Sequence, residues 1–327
     1  TLLHANQPDG FDCPGCAWPD REHTSTFEFC DNGAKAVAFE ATSRRVGPEF
    51  FAKYSVEELA RYSDHWLEDQ GRLTHPMRYN PATDRYEAVS WDKAFAFIAA
   101  KLNALASPDE AIFYTSGRTS NEAAFLYQLF VRQFGTNNFP DCSNMCHEPS
   151  GVALGEQIGV GKGTVTLHDF EQADLILVFG QNPGTNHPRM LGELRRAVQR
   201  GARVLAFNPL RERGLERFAD PQDALEMLHN GSERIASEYY QLRIGGDLAA
   251  VAGMIKHVLE RDTEERAASR APLLDDAFIA EHTDGFAAFR TGIEALHWHD
   301  LEAQSGLSEA RLRDAGKRYL HAERAII

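Results

Sequence analysis

The sequence predicts an α/β protein: a small N-terminal cysteine-bearing module followed by Rossmann-like domains built on a parallel sheet. Three observations carry this. From residue 111 onward short apolar strands alternate with polar loops and helices, the order that specifies a parallel sheet covered on both faces. DLILVFG (174–180) and ARVLAFN (202–208) read as buried strands, each leading into a loop rich in Asn, Gly, Arg and Pro. The first forty residues, broken by Pro14, Gly15, Pro19 and Gly33, hold three of the five cysteines.

The elements follow in order. SVEELARYSDHWLE (55–68) starts with Ser and has Glu three positions later, a helix-start signature. Residues 71–90 read as an extended segment, a turn around Asn80 to Asp84 and a return strand ending at Ser90. Ser90 then caps a helix reaching Leu105. AIFYTS (111–116) is expected to be a strand, GRTSNE a loop, and EAAFLYQLFVRQFG a helix closed by Gly135. After DLILVFG come the loop QNPGTNHP and a helix, RMLGELRRAVQRG. After ARVLAFN comes NPLRERG. EYYQLRI (238–244) is a further strand, feeding a glycine turn and the helix of GGDLAAVAGMIKHVLE. HAERAII at 321–327 has the look of a strand beginning, which suggests a fragment of a longer chain. Domain boundaries are expected at 71 and 141: a cysteine module (1–71), the first part of an α/β domain (72–141) and a dinucleotide-binding domain (142–327).

Composition bounds the function. A net charge of -14 over 327 residues, with no basic stripe, argues against a nucleic-acid partner. No apolar run nears the roughly 20 residues that span a bilayer, and the N-terminus lacks a signal-peptide pattern, so membrane insertion is not expected and a cytoplasmic location is. An odd number of cysteines suits metal or redox chemistry better than a disulfide framework.

Two cysteine groups stand out. Cys13-Pro-Gly-Cys16 can turn two sulfurs toward one metal, with Cys30 as a third ligand and His23 between; iron–sulfur, zinc and redox dithiol all fit this spacing. Cys146-His147 joins a soft metal ligand to a proton acceptor, and equally describes a structural cysteine beside a surface histidine. In a parallel sheet ligands sit beyond the carboxyl ends of the strands. The loops at 117–122, 181–188, 208–214 and 245–247 therefore form the candidate binding surface. Gly117, Arg118, Asn121, Asn186, Asn208, Arg211 and Asp247 are its candidate contacts. Asp247, after Gly245 and Gly246, suits either a cofactor hydrogen bond or a helix cap.

The run from Gly135 to Arg211, with GTNNFPDCSNMCHEPSGVAL and DLILVFGQNPGTNHP inside it, resembles the core of molybdopterin-dependent oxidoreductase alpha (large) subunits. The likeness is greatest to the formate-dehydrogenase-like members of the formate dehydrogenase/DMSO reductase superfamily. CPGCAWPD (13–20) and FCDNGAKA (29–36) point to one branch of that family, and the resemblance covers most of residues 10 to 260. It implies Cys146 as the molybdenum ligand and His147 as its catalytic neighbour. Gly180, Asn182, Pro183 and His187 would contact a molybdenum bis(molybdopterin guanine dinucleotide) cofactor. Lys35 would lie between pterin and an iron–sulfur cluster held by Cys13, Cys16 and Cys30.

The implied activity is the two-electron oxidation of a small substrate, with electrons leaving through a [4Fe–4S] cluster toward an electron-transfer partner subunit. This segment alone is expected to be inactive, because the family's second cofactor-binding lobe and substrate-orienting arginine lie beyond the residues given. Formate dehydrogenases carry four cysteines in the N-terminal module. Here three precede residue 141, so a non-cysteine ligand completes the cluster, the cluster is labile, or the site holds something else. Glu148 replaces a glycine of the formate dehydrogenases, and is either a charge that disfavours an anionic substrate or a solvated loop carboxylate. Oxygen-atom transfer at molybdenum, or a zinc-stabilised binding protein on the same fold, are the rival readings.

Overall fold

The computed structural model describes residues 3–7, 9–16, 18–19, 30–115, 119–229 and 231–327, save the side chains of Ser143 and Ala224. The chain divides into two compact units, residues 35–164 and residues 1–34 together with 165–327. The division differs from boundaries at 71 and 141 because the cysteine segment packs on the sheet domain, where Trp18 meets Phe170 edge-on at 6.0 Å.

In the 35–164 unit, Met77–Asn80 and Arg85–Ala88 pair antiparallel around the expected turn, with Asp84 in the left-handed region at φ 52°. Ser90 caps Trp91–Asn103 by accepting the Lys93 N–H, and Gly135 at φ 108° ends Asn121–Phe134. Two expectations are corrected. The helix over 55–68 is two helices, Val56–Leu59 and Asp64–Asp69. Ser55 and Glu58 form the capping box, but Ser63 accepts the Trp66 N–H and starts a second helix. Residues 111–115, the described part of the expected 111–116 strand, do not form a sheet. Phe113 and Thr115 donate to the carbonyls of Asn138 and Pro140, leaving one isolated bridge between Thr115 and Asp141.

The other unit is built on four parallel strands in the order Ala325–Ile326, Leu175–Phe179, Arg203–Phe207, Glu238–Tyr240. Side chains alternate across the sheet. Leu175, Leu177, Leu205, Phe207 and Tyr240 face the helices Asp247–Ala267 and Glu309–Leu320. Ile176, Val178, Val204 and Ala206 face Pro188–Gln199 through Met190, Leu191, Leu194 and Ala197. Phe179, Phe207 and Tyr240 stack on neighbouring strands at 4.4 and 4.6 Å. A sheet buried on both faces by helices is the α/β architecture the alternation predicts. EYYQLRI contributes a strand only over Glu238–Tyr240: the Leu242 N–H still bonds the Asn208 carbonyl, but from Arg243 the chain turns away to donate to the Ser305 carbonyl.

Strand order reverses beside Leu175–Phe179. The chain moves from it to 203–207 and 238–240 on one side, then returns after the long helices to pair Ala325–Ile326 on the other. The carboxyl end of Leu175–Phe179 is therefore at a topological switch point, where open α/β sheets bind ligands. Among the described residues no helix is long and apolar enough to cross a membrane.

Candidate functional site

At that switch point Phe179 is followed by Gly180, whose φ of 66° turns the chain off the strand while its N–H still bonds the Phe207 carbonyl. Asn182 then caps the short helix Pro183–Asn186 by accepting the Thr185 N–H, and donates to the Glu212 carboxylate at 2.7 Å. Pro183 is buried. His187 leads into Pro188–Gln199 with its N–H on the Pro183 carbonyl, and its ring makes no capping bond. Asn186 is exposed.

The neighbouring loop, after Arg203–Phe207, is tied to this one. Asn208 is 4% exposed, donates to the Gln181 carbonyl at 3.0 Å and accepts the Leu210 N–H at 3.1 Å. Arg211 bonds Glu216 at 2.6 Å and lies over the Tyr239 ring. The Tyr239 hydroxyl accepts the Glu212 N–H and donates to the Leu210 carbonyl. Asn208 and Arg211 thus spend their polar groups on shaping the 181–188 and 208–214 loops. Glu212 and Tyr239 share that task. The sequence reading missed both, and neither carries a signal stronger than its place next to a strand end.

Asp247 is not a cap. Gly246 holds the cap position, and Asp247 is the first residue of Asp247–Ala267. There its carboxylate complements the helix dipole and stays partly open to solvent.

In the same unit Cys13 and Cys30 converge on Gly33. Cys13 Sγ would lie 3.0 Å from any Cβ at Gly33, and Cys30 Sγ accepts the Gly33 N–H at 3.4 Å. Burial pushes the Cys30 thiol up, with the Gly33 N–H and the Arg189 charge pulling it back. N–H donors aimed at sulfur suit soft-metal chemistry. The described residues nevertheless assemble no group of three or more His, Cys, Asp or Glu side chains around one metal position. The cradle therefore fits as two sulfur ligands of a larger set. His23 falls outside the described residues.

In the other unit, Cys142–Cys146 ends one residue before Glu148–Ile158, and His147 is the hinge between them at φ -118°, ψ -28°. Cys146 and His147 are both exposed. Asp141 and Asn144 bond each other's backbone N–H at 3.0 and 3.3 Å, and the Asn144 amide donates to Glu148. Glu148 is therefore a carboxylate fixed next to Cys146. Asn121 begins Asn121–Phe134 behind its Ser120 cap, and Lys35 is exposed on Asp31–Glu40. Gly117 and Arg118 lie outside the described residues.

A family model described as Molybdopterin oxidoreductase matches residues 72–266. The chain belongs to the molybdopterin oxidoreductase family. The match contains Cys146, His147 and the four loops at 117–122, 181–188, 208–214 and 245–247. Over its full length this molybdopterin oxidoreductase chain is 54% identical to Protein YdeP of Escherichia coli K12 and 51% identical to the Uncharacterized oxidoreductase Rv2900c of Mycobacterium tuberculosis. It spans 43% and 42% of their lengths. Over 78% of the chain it is 29% identical to formate dehydrogenase H of Escherichia coli K12, of which it covers 33%.

Proposed function

We propose that this chain is the cofactor-holding part of a molybdenum-dependent, formate-dehydrogenase-like oxidoreductase that oxidises a small substrate by two electrons. The observation that carries the reading is Cys146, an exposed thiol at the hinge between two helices with His147 beside it, inside the family-matched segment. A thiolate is a soft donor suited to molybdenum. The bis(molybdopterin guanine dinucleotide) form of the cofactor would supply the two-electron redox centre. Cys146 would hold its metal, and the imidazole of His147 would accept the substrate proton.

The loops at 181–188 and 208–214 would receive the dinucleotide part. Their backbone is fixed by Asn208, Asn182 and Glu212, which leaves Asn186 and His187 as contacts. Asp247 would accept hydrogen bonds from the guanine or ribose. Cys13 and Cys30, with Cys16, would be ligands of an iron–sulfur cluster serving an electron-transfer partner. The Glu148 carboxylate, fixed by Asn144, puts negative charge beside Cys146 and favours an uncharged small substrate over an anion such as formate.

The test is metal content. The protein at its natural length, made in a host that synthesises the cofactor, should contain molybdenum, and Cys146→Ala should lose most of it while unfolding at the same temperature. Full molybdenum occupancy in Cys146→Ala would end the ligand assignment. Zinc without molybdenum or iron in the wild type would end the oxidoreductase reading. Faster turnover of formate than of any uncharged substrate tried would remove the selectivity argument.

A further inference from the structure

The described residues 4–7 and 9–13 are drawn together by backbone bonds that bring one side chain onto Cys13. Phe11 donates its N–H to the His4 carbonyl, and Asn6 donates to the Phe11 carbonyl at 2.8 Å. Gly10 packs so tightly against His4 that no side chain fits there. Asn6 takes the left-handed conformation, φ 57°, which Asn tolerates better than most residues. The turn directs the Asn6 amide onto Cys13 at two points. Its Oδ1 accepts the Cys13 N–H at 2.9 Å, and its Nδ2 then faces Cys13 Sγ at 3.5 Å. The Gly15 N–H reaches the same sulfur at 3.4 Å. On the opposite side Gly33 is buried, and a Cβ there would come within 3.0 Å of both Cys13 Sγ and Asn6 Nδ2. Its own N–H goes to Cys30.

We propose that Asn6 and Gly33 are positioning residues for a metal held by Cys13: Asn6 fixes the sulfur's direction and donates to it, and Gly33 leaves the room in which the sulfurs of Cys13 and Cys30 can approach one centre. Neither residue touches the metal. The proposal rests on the reading of the N-terminal cysteines as metal ligands. Donors directed at a ligand sulfur stabilise its anionic form and raise the reduction potential of the iron it binds. Loss of a residue that orients a ligand typically weakens metal binding about 10- to 100-fold.

Asn6→Asp is the sharpest variant. Asp keeps the acceptor for the Cys13 N–H and is at ease in the left-handed turn, but turns a donor into a carboxylate facing the sulfur. Gly33→Ala tests the same sulfur from the other side, so the question survives if one variant misfolds. The natural-length protein, purified without oxygen, is assayed for iron content, rate of iron loss to a chelator and midpoint potential. Co2+ is then titrated into the iron-depleted protein and followed by its sulfur-to-metal charge-transfer absorption.

Asn6→Asp is expected to bind Co2+ about 10- to 100-fold more weakly, to shift the absorption and to lower the midpoint potential, with thermal unfolding unchanged. Gly33→Ala should lose affinity likewise. Wild-type Co2+ affinity and potential in both variants would overturn the positioning role and leave the metal reading standing. A wild type that carries no iron and binds no Co2+ would refute the metal reading itself, and the positioning role with it.

Discussion

Asn208 has almost no contact with solvent, and both ends of its amide are used inside the protein. Removing the side chain would strand the Gln181 carbonyl and the Leu210 N–H between two loops. An unpaired buried polar group costs about 1–3 kcal/mol. Asn208→Ala should therefore destabilise the protein by about that amount in urea unfolding, and an unchanged midpoint would show that the bonds carry no stability. Asn208 also marks what a sequence can reveal at this scale. The residue type and its place after a strand were legible, and pointed to ligand contact. That its hydrogen bonds turn inward was not, since the partners, a carbonyl 27 residues earlier and a turn N–H, have no sequence signature. Arg211 and its Glu216 partner repeat the lesson.

At the scale of elements, Asp247–Ala267 and Glu309–Leu320 pack closely through two glycines. A Cβ at Gly316 would meet the Met254 carbonyl oxygen at 2.8 Å, and one at Gly253 would meet Leu312 Cδ1 at 2.9 Å. Alanine gains about 1 kcal/mol over glycine within a helix, and overpacking costs about 1–3 kcal/mol. The obstacle decides the sign. Backbone cannot rotate away, so Gly316→Ala should lower stability by about 1–2 kcal/mol. The Leu312 side chain can shift, so Gly253→Ala should fall within about 0.5 kcal/mol of the wild type. Equal losses in calorimetry would contradict this account.

The far end of the same helix is secured by Asp262, fully buried, which bonds Arg266 at 2.6 Å and accepts the N–H groups of Leu273 and Leu274. Burial alone would push its carboxyl up, but these partners hold it below the ordinary carboxylate range. Its folded pKa lies under the unfolded value of about 3.9, so its contribution is complete above that pH and is lost as pH falls through the folded pKa. Asp262→Asn should cost about 2 kcal/mol at pH 7, with the gap to wild type closing below about pH 4. A pH-independent gap would mean that the charge plays no part. The helices and strands that position the site were the legible ones, because long apolar runs such as 175–179 need no partner information. The two helices of 55–69 and the lone bridge at Thr115 were not: a Ser63 cap and a loop at 138–141 decide them.

For the whole molecule, the two units differ in how much apolar surface they enclose. Around the parallel sheet, both faces carry continuous buried clusters in which Leu194, Val204, Leu205, Phe207 and Leu312 have no solvent exposure. Among the described residues of the 35–164 unit, the buried apolar side chains are Val46, Phe113 and Val131. Its helices meanwhile expose Trp91, Phe95, Ile98, Phe125 and Leu126 by more than half. Buried apolar area is worth about 25 cal/mol per Å2, so the energy holding this 327-residue chain is concentrated in the sheet unit. Local opening is cheapest where buried apolar contacts are fewest. Hydrogen exchange followed by mass spectrometry on this chain should show amides of Trp91–Asn103 and Asn121–Phe134 exchanging at least about tenfold faster than those of Leu175–Phe179 and Arg203–Phe207, with an earlier melting transition for the 35–164 unit. Uniform protection and a single transition would mean that the stability of the two units is not set by their separate cores.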